Sequence, residues 1–472
     1  MSALTSLLDL IPEENILDLE QSGRAVTVPD PAKPFLLAAL VRRLQRPVLA
    51  VTARSEEAEH LARDVQAFLG RDGAEVFPGW EVLPGEPLSP SVETMGRRLD
   101  VLARLGRGES LVVIATAQGT TQLVASPRET DVVELRAGAS IELDEVAARL
   151  VAAGYERNYI VERRGEFAIR GGILDVFPPA AERPVRAELW GDEISSLRQF
   201  ALASQRSLEE LDIVEIAPCR ELRADDFTVG RAAELAQKND DPVLAQLAEG
   251  VIEPGAERLL PVLTGGLVPL ASLLPPGSPA VVIEPRRVRD RADEVIEQVD
   301  EWVSSAGISD RHYAALDEAL KPVDNVVFMS SFVEATEGGD LAVETWTSAA
   351  GKPQELAERL SALMQRGFRA VIAASLPDAA QTLKRNLASL GLVFDVVDDL
   401  NEPTKPNHGQ IVVAELGRGF VLPWARLALV AESDITGRRS GAARRRITAR
   451  RKATEGPLDL LEGDAVVHEV HG

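Results

Sequence analysis

The sequence predicts a multidomain α/β protein: a parallel-sheet domain split by an inserted α+β domain, then a further α/β domain. Three observations carry this expectation. Apolar runs at 47–51 and 111–116 alternate with helical stretches, as in a parallel sheet covered by helices. Between 159 and 200 the alternation gives way to short strands of two-residue period. Strand–helix alternation then returns, first around 280–302 and again over 355–431. These shifts place the two halves of the split domain at 1–130 and 219–345, the insert at 131–218 and the further domain at 346–437. A basic linker at 438–462 and the start of another domain at 463–472 complete the division.

Composition narrows the function classes. The chain has 472 residues and is 45% hydrophobic, yet contains no apolar run long enough to span a membrane. Its opening, MSALTSLLDLIPEENILDLE, lacks a basic n-region and carries acids early, so it does not read as a signal peptide. A single cysteine, Cys219, excludes a disulfide framework, and five scattered histidines suggest no metal cluster. A reducing cytoplasm fits that usage. The 74 acids against 51 bases give a net charge of −23, which opposes avid binding to nucleic acid by the body of the chain.

In chain order, 25–28 is a short strand, 35–44 an apolar-periodic helix and 47–51 a buried strand. The helix at 55–69 places Ala58, Leu61, Ala62, Val65 and Phe68 on one face. Strands at 74–77 and 111–116 follow. In a nucleotide-binding unit the loop after the first strand is a glycine-rich phosphate cradle; here it is VPDPAKP. Its prolines remove amide donors, Asp30 repels phosphate, and no glycine permits the nest. No G-x-x-x-x-G-K-[ST] occurs elsewhere. Lys33 accordingly reads as a solvated loop lysine, and the unit as an ATPase-like fold without a nucleotide cofactor. The Arg97-Arg98 pair on a helix at 91–105 reads as a solvated face.

Within the insert a helix at 143–153 precedes strands at 166–170, 173–177 and 185–190. Gly171-Gly172 makes a bend and Gly191-Asp192 a turn. Strand parity is informative: if Val185 and Leu189 face the core, Trp190 faces outward beside Arg186. An exposed tryptophan flanked by arginine is the composition of a protein–protein hot spot. The alternative is that Trp190 caps the edge of its own core while the arginines are solvated. Cys219, next to a proline at a domain joint, reads as a small buried hydrophobe.

Strands at 280–285 and 325–328 and a charged helix at 288–302 return the chain to the first domain, with packed irregular structure at 259–276. The further domain reads as helices at 355–365 and 377–390, the latter ended by Gly391, with strands at 370–374, 393–396, 411–414 and 427–431. Glu432 and Asp434 read as turn residues, with no metal. GRRSGAARRRITARRK then places eight basic residues between Arg438 and Lys452. That run is either a solvated linker or a contact for another protein, DNA or an acidic face of the same protein.

RGEFAIRGGILDVFPP, VRAELWGDEISSLRQF and the following Ser204-Gln205-Arg206 resemble the UvrA-binding domain of UvrB and of the transcription-repair coupling factors, and SQRSLEEL is nearer to the latter. WEVLPGEPLSP and AELGRGFVLPWARLALVAESDITG also resemble coupling factors, and LEGDAVVHEVHG resembles the opening of their polymerase-interacting domain. The tyrosine-rich hairpin of UvrB is missing. In that family two arginines and one aromatic grip UvrA; by motif they fall on Arg170, Arg186 and Trp190, where the family more often has phenylalanine. The resemblance implies a degenerate helicase-like scaffold that recruits UvrA to stalled RNA polymerase in transcription-coupled nucleotide excision repair, without catalysis of its own. It implies that this is an N-terminal fragment. In the full-length protein further domains would contact RNA polymerase, use ATP and Mg to translocate on DNA, and cover the UvrA-binding face at rest. A UvrB-like or helicase-like ATPase acting on DNA is the alternative, and a DNA-binding module using the basic run a third.

Overall fold

A computed structural model describes residues 2–11, 23, 25–126, 132–306, 311–331, 339–340, 342–402 and 404–437. The basic run and the terminal LEGDAVVHEVHG segment lie outside the described residues. The first sheet has seven strands, in the order Gly339–Asp340, Ala25–Thr27, Val326–Ser330, Ala280–Ile283, Val48–Thr52, Val112–Thr116, Ala74–Phe77. Every neighbouring pair is parallel. The strands Val48–Thr52 and Val112–Thr116 are buried at every position, because helices cover both faces. The chain leaves this sheet after Val112–Thr116 and rejoins it at Ala280–Ile283, beside Val48–Thr52. Multidomain α/β architecture with an inserted mixed sheet is therefore as the sequence predicts.

The helix Lys33–Leu44 is more deeply placed than its pattern suggested. Every residue from Lys33 to Val41 is buried. A second sheet accounts for this. Glu344–Thr345, Phe420–Leu422, Leu427–Ala431, Arg369–Ala374, His408–Val413 and Val393–Val396 form it in that order, parallel except at its first two pairings. One face of this sheet shares a core with the helix: the Phe35 ring lies 5.4 Å from Phe68 and 5.4 Å from Phe420. A helix packed between two sheets has no wet side, so FLLAALV is apolar all round.

Three local readings change. Lys33 is not solvated: it is 2% exposed, donating to Asp30 at 2.7 Å, to Ser331 at 2.9 Å and to Glu284. Burial works against both carboxylates, yet hydrogen bonds from Lys33 and Ser331 hold Asp30 and Glu284 below their ordinary range. Nor is the Arg97-Arg98 pair a solvated face. Arg97 is 18% exposed and pairs with Glu75 at 3.0 Å and with Glu59. Arg98 is fully buried, ion-paired with Glu221, and donates to Pro78 O at 2.9 Å and Gln122 Oε1 at 3.0 Å. Its guanidinium stacks on the rings of Phe77 and Trp80 at 4.4 and 5.7 Å. Both arginines sit on the helix Val92–Gly106, whose Ser91 cap accepts from Thr94 N at 3.1 Å. The helix is wedged between the sheet and the segment leaving the insert, so its polar stripe is internal.

The third change is the stretch after the insert. Short helices Asp226–Ala236, Pro242–Ala248 and Leu260–Thr264 gather around Trp80, Leu222, Leu244 and Leu247. Part of the expected irregular run at 259–276 is thus helical. Among the described residues no helix is long and apolar enough to cross a membrane.

Removing Glu221 leaves the Arg98 charge buried without its carboxylate, so Glu221→Ala should cost about 3–5 kcal/mol. Denaturant unfolding measures this, and a loss within the range of a surface pair would count against the buried clamp. At the junction with the second sheet, burial lifts the Asp64 carboxyl to about 6 from 3.8, although Gly417 N donates to it and Arg63 lies near. The folded chain therefore binds this proton more tightly than the unfolded one, and stability falls as pH rises through that window. Asp64→Asn should add on the order of 2 kcal/mol at pH 7.5, a gain that vanishes near pH 4, by the same unfolding measurement.

Candidate protein-docking site

The inserted domain carries a six-stranded sheet, ordered Ser207–Glu210, Glu193–Phe200, Val185–Trp190, Ile173–Val176, Glu166–Arg170, Glu156–Arg157. All pairs are antiparallel except the last. Alternation divides its side chains. Phe167, Leu174, Val176, Val185, Ala187 and Leu197 form one face, packed on Val146 and Leu150 of the helix Leu143–Ala152. Ala168, Asp175, Arg186 and Phe200 lie on the other. There the buried apolar side chains form a small cluster of Val161, Ala168, Phe177 and Phe200.

That second face holds the residues singled out from the sequence. Antiparallel register sets Asp175 directly between Ala168 and Arg186. Arg186 grips the carboxylate with a bidentate fork, Nε to Oδ1 at 2.6 Å and Nη2 to Oδ2 at 2.8 Å. Arg170 Nη2 donates to Oδ2 at 2.8 Å. Asp175 is 1% exposed, whereas the side chains of Arg186 and Arg170 are 14% and 33% exposed. The two arginines thus meet on one buried acid. The hydrogen bonds to Asp175 raise the Arg186 guanidinium above its ordinary range, against a smaller opposing effect of burial.

Arg186 is held from two further sides. It lies over the Phe200 ring at 4.6 Å, and its Nη1 and Nη2 donate at 3.3 Å to the backbone and side-chain oxygens of Gln205. Gln205 has a left-handed φ of 55°, in a turn closed by its N–H to Ala201 O at 2.7 Å. The motif Ser204-Gln205-Arg206 therefore acts locally by aiming a glutamine at the guanidinium.

Trp190 ends its strand two residues beyond Glu188, which stands in register with Ile173 and, through it, with Arg170. It is 86% exposed, so it does not cap the edge of its own core. Gly191, at φ 62°, begins the turn that brings Glu193 back opposite Trp190. Asp175 and Gln205 are the residues that reading the sequence missed. ILDVF looks like an uninterrupted apolar strand until the register puts its one acid across from Arg186.

The domain is seated firmly. A Cβ on Gly96 would come within 2.2 Å of the Pro179 side chain, so helix Val92–Gly106 and the insert touch closely. Tyr155 Oη donates to Ala217 O at 2.7 Å, and burial pushes the neighbouring Cys219 thiol up to about 12, which leaves it unreactive. Elsewhere, Glu432 accepts from Ser375 N at 2.8 Å, while Asp434 accepts from Gly419 N and Ala431 N at 2.7 and 3.1 Å, so both brace the turn that follows Leu427–Ala431. No group of three or more His, Cys, Asp or Glu among the described residues could hold a metal ion.

Residues 133–222 match the UvrB interaction domain, and residues 366–435 match the MFD D3 domain. Over 95% of its length the chain is 35% identical to the transcription-repair-coupling factor of Mycobacterium tuberculosis, of which it spans 40%. It is 29% identical to that of Myxococcus xanthus over 98% of the chain and 43% of the relative. For Bacillus subtilis the identity is 25%, over 100% of the chain and 42% of the relative. The chain thus spans about two fifths of these relatives, and what it matches is the N-terminal region of transcription-repair-coupling factors, with a UvrB interaction domain and an MFD D3 domain.

Proposed function

We propose that the inserted sheet docks UvrA, and that Arg170, Arg186 and Trp190 are its contact residues in transcription-coupled nucleotide excision repair. The observation that carries this reading is an almost fully exposed indole on the same sheet face as two guanidinium groups fixed on one buried carboxylate. The match to the UvrB interaction domain supports this choice of partner. Large aromatic area together with directional donors, already ordered before docking, is how hot spots reach high affinity.

The parallel-sheet domain acts here as scaffold. Its would-be phosphate lysine is occupied by Asp30, Glu284 and Ser331, and a phosphate there would meet two carboxylates. This stretch therefore works without ATP. In the whole protein the motor would be an ATP-dependent DNA translocase that displaces stalled RNA polymerase, and its distal domains would cover the UvrA face at rest. The proposed domain limits are 1–130 and 219–345 for the scaffold, 131–218 for the UvrA module and 346–437 for the further α/β domain, whose sheet also takes in the short strand Glu344–Thr345; the linker proposed at 438–462 lies outside the described residues.

A pull-down or titration with purified UvrA tests the reading. Trp190→Ala and Arg170→Ala should each lose about 2–4 kcal/mol of affinity. The unfolding midpoint of Trp190→Ala should stay put, since an exposed ring leaves no cavity. Wild-type binding by both variants would refute the docking face. Asp175→Asn should lower the stability of the insert by about 3 kcal/mol, because two guanidinium groups lose their buried counter-charge. Thermal unfolding followed by far-UV circular dichroism would register it.

A further inference from the structure

Among the described residues the two most exposed large apolar side chains are Trp190 and Tyr159, at 86% and 80%. Both belong to the inserted domain. Tyr159 follows the edge strand Glu156–Arg157, which runs parallel to Glu166–Arg170, with Asn158 N donating to Phe167 O at 2.8 Å. The chain therefore leaves the sheet level with Phe167 and Ala168, one strand over from the strand that ends at Arg170. Trp190 lies three strands across and beyond the level of Arg170, a separation of roughly 20 Å at ordinary strand spacing and rise.

The segment carrying Tyr159 is pinned. Val161, just beyond it, is buried against Ala168, Phe177 and Phe200, the cluster on which Arg186 also stacks. Glu166, itself 4% exposed, accepts from Glu162 N at 2.8 Å and Arg163 N at 2.9 Å. A short loop held by a buried carboxylate and a buried valine leaves its phenol ring outside, with Ile160 39% exposed beside it. Loose packing does not explain an aromatic displayed from so fixed a segment.

We infer that Tyr159 is a second aromatic anchor for UvrA, flanking Arg170 on the side opposite Trp190. This rests on the docking reading above and enlarges its footprint. A standard interface covers about 800 Å² on each partner, wide enough to take in both rings and the arginines between them. The phenol would enter an apolar slot on UvrA that offers an acceptor to its hydroxyl.

The test compares UvrA affinity across four variants of the full chain: Tyr159→Ala, Tyr159→Phe, Trp190→Ala and, as an exposed control outside the insert, Leu376→Ala. Tyr159→Ala is expected to weaken binding about tenfold or more, Tyr159→Phe by less, and Leu376→Ala not at all. Backbone amides around 157–163 should gain hydrogen-exchange protection when UvrA is added, a readout that needs no variant. Wild-type affinity in Tyr159→Ala, with binding lost in Trp190→Ala, overturns this inference and leaves the docking face standing. Wild-type affinity in both removes the two together.

Discussion

One carboxylate organises the face that this molecule offers. Asp175 is buried under two guanidinium groups and receives three charge-assisted hydrogen bonds from them. Left unpaired at that depth it would cost several kcal/mol; paired, it fixes both arginines relative to the sheet. A free arginine gives up about 2 kcal/mol of rotamer freedom when it is immobilised. Here much of that loss falls on folding, because Arg186 is already seated on Asp175, Phe200 and Gln205. A partner then meets an ordered surface, and less of the interaction energy goes into arranging it.

The scaffold beneath uses charge in the same way. At the head of helix Lys33–Leu44, where a nucleotide-binding protein would gather phosphate, the ammonium is tied to Asp30 and Glu284. Glu284 takes a left-handed φ of 54°, an uncommon conformation for a side chain of its size, at the step from strand Ala280–Ile283 into helix Pro285–Ala306. The positive helix end and the lysine thus find their anions within the chain. On the opposite side of the sheet Arg98 and Glu221 do likewise, and join the helix under the insert to the segment that leaves it.

How much of this was legible follows from what each feature requires. Helices such as Ser55–Leu69 and strands such as Arg369–Ala374 are dictated by local periodicity, so the α/β class could be read directly. The outward turn of Trp190 needed only strand parity. Charge was legible only by sign. Lys33, Arg97 and Arg98 looked like solvated bases because the acids Glu284, Glu59 and Glu221 that pair with them lie 251, 38 and 123 positions away in sequence. Asp175 was hidden for a related reason: its meaning depends on register with Arg186. The short helices Asp226–Ala236 and Pro242–Ala248 did leave signals, since Asp225 and Asp241 cap them at 2.8 and 2.9 Å. An expectation of returning strands obscured those caps.

The surface of the insert separates two contributions that most cores combine. Apolar area drives association without direction, whereas guanidinium groups give direction with little net gain in water. An indole brings the first and, through its ring N–H, a share of the second. Burying it against a partner releases on the order of 2–3 kcal/mol, and the fold gains none of this while the ring stands in solvent. On the proposed docking reading, that energy goes into association. The directional part is available as well, because Arg170 commits one donor to Asp175 and keeps the rest of its fork toward solvent. A sheet needs only one apolar face to fold, and here the helix Leu143–Ala152 covers it. The opposite face is therefore left free of the core's demands, with Arg170 and Arg186 anchored on Asp175 below them.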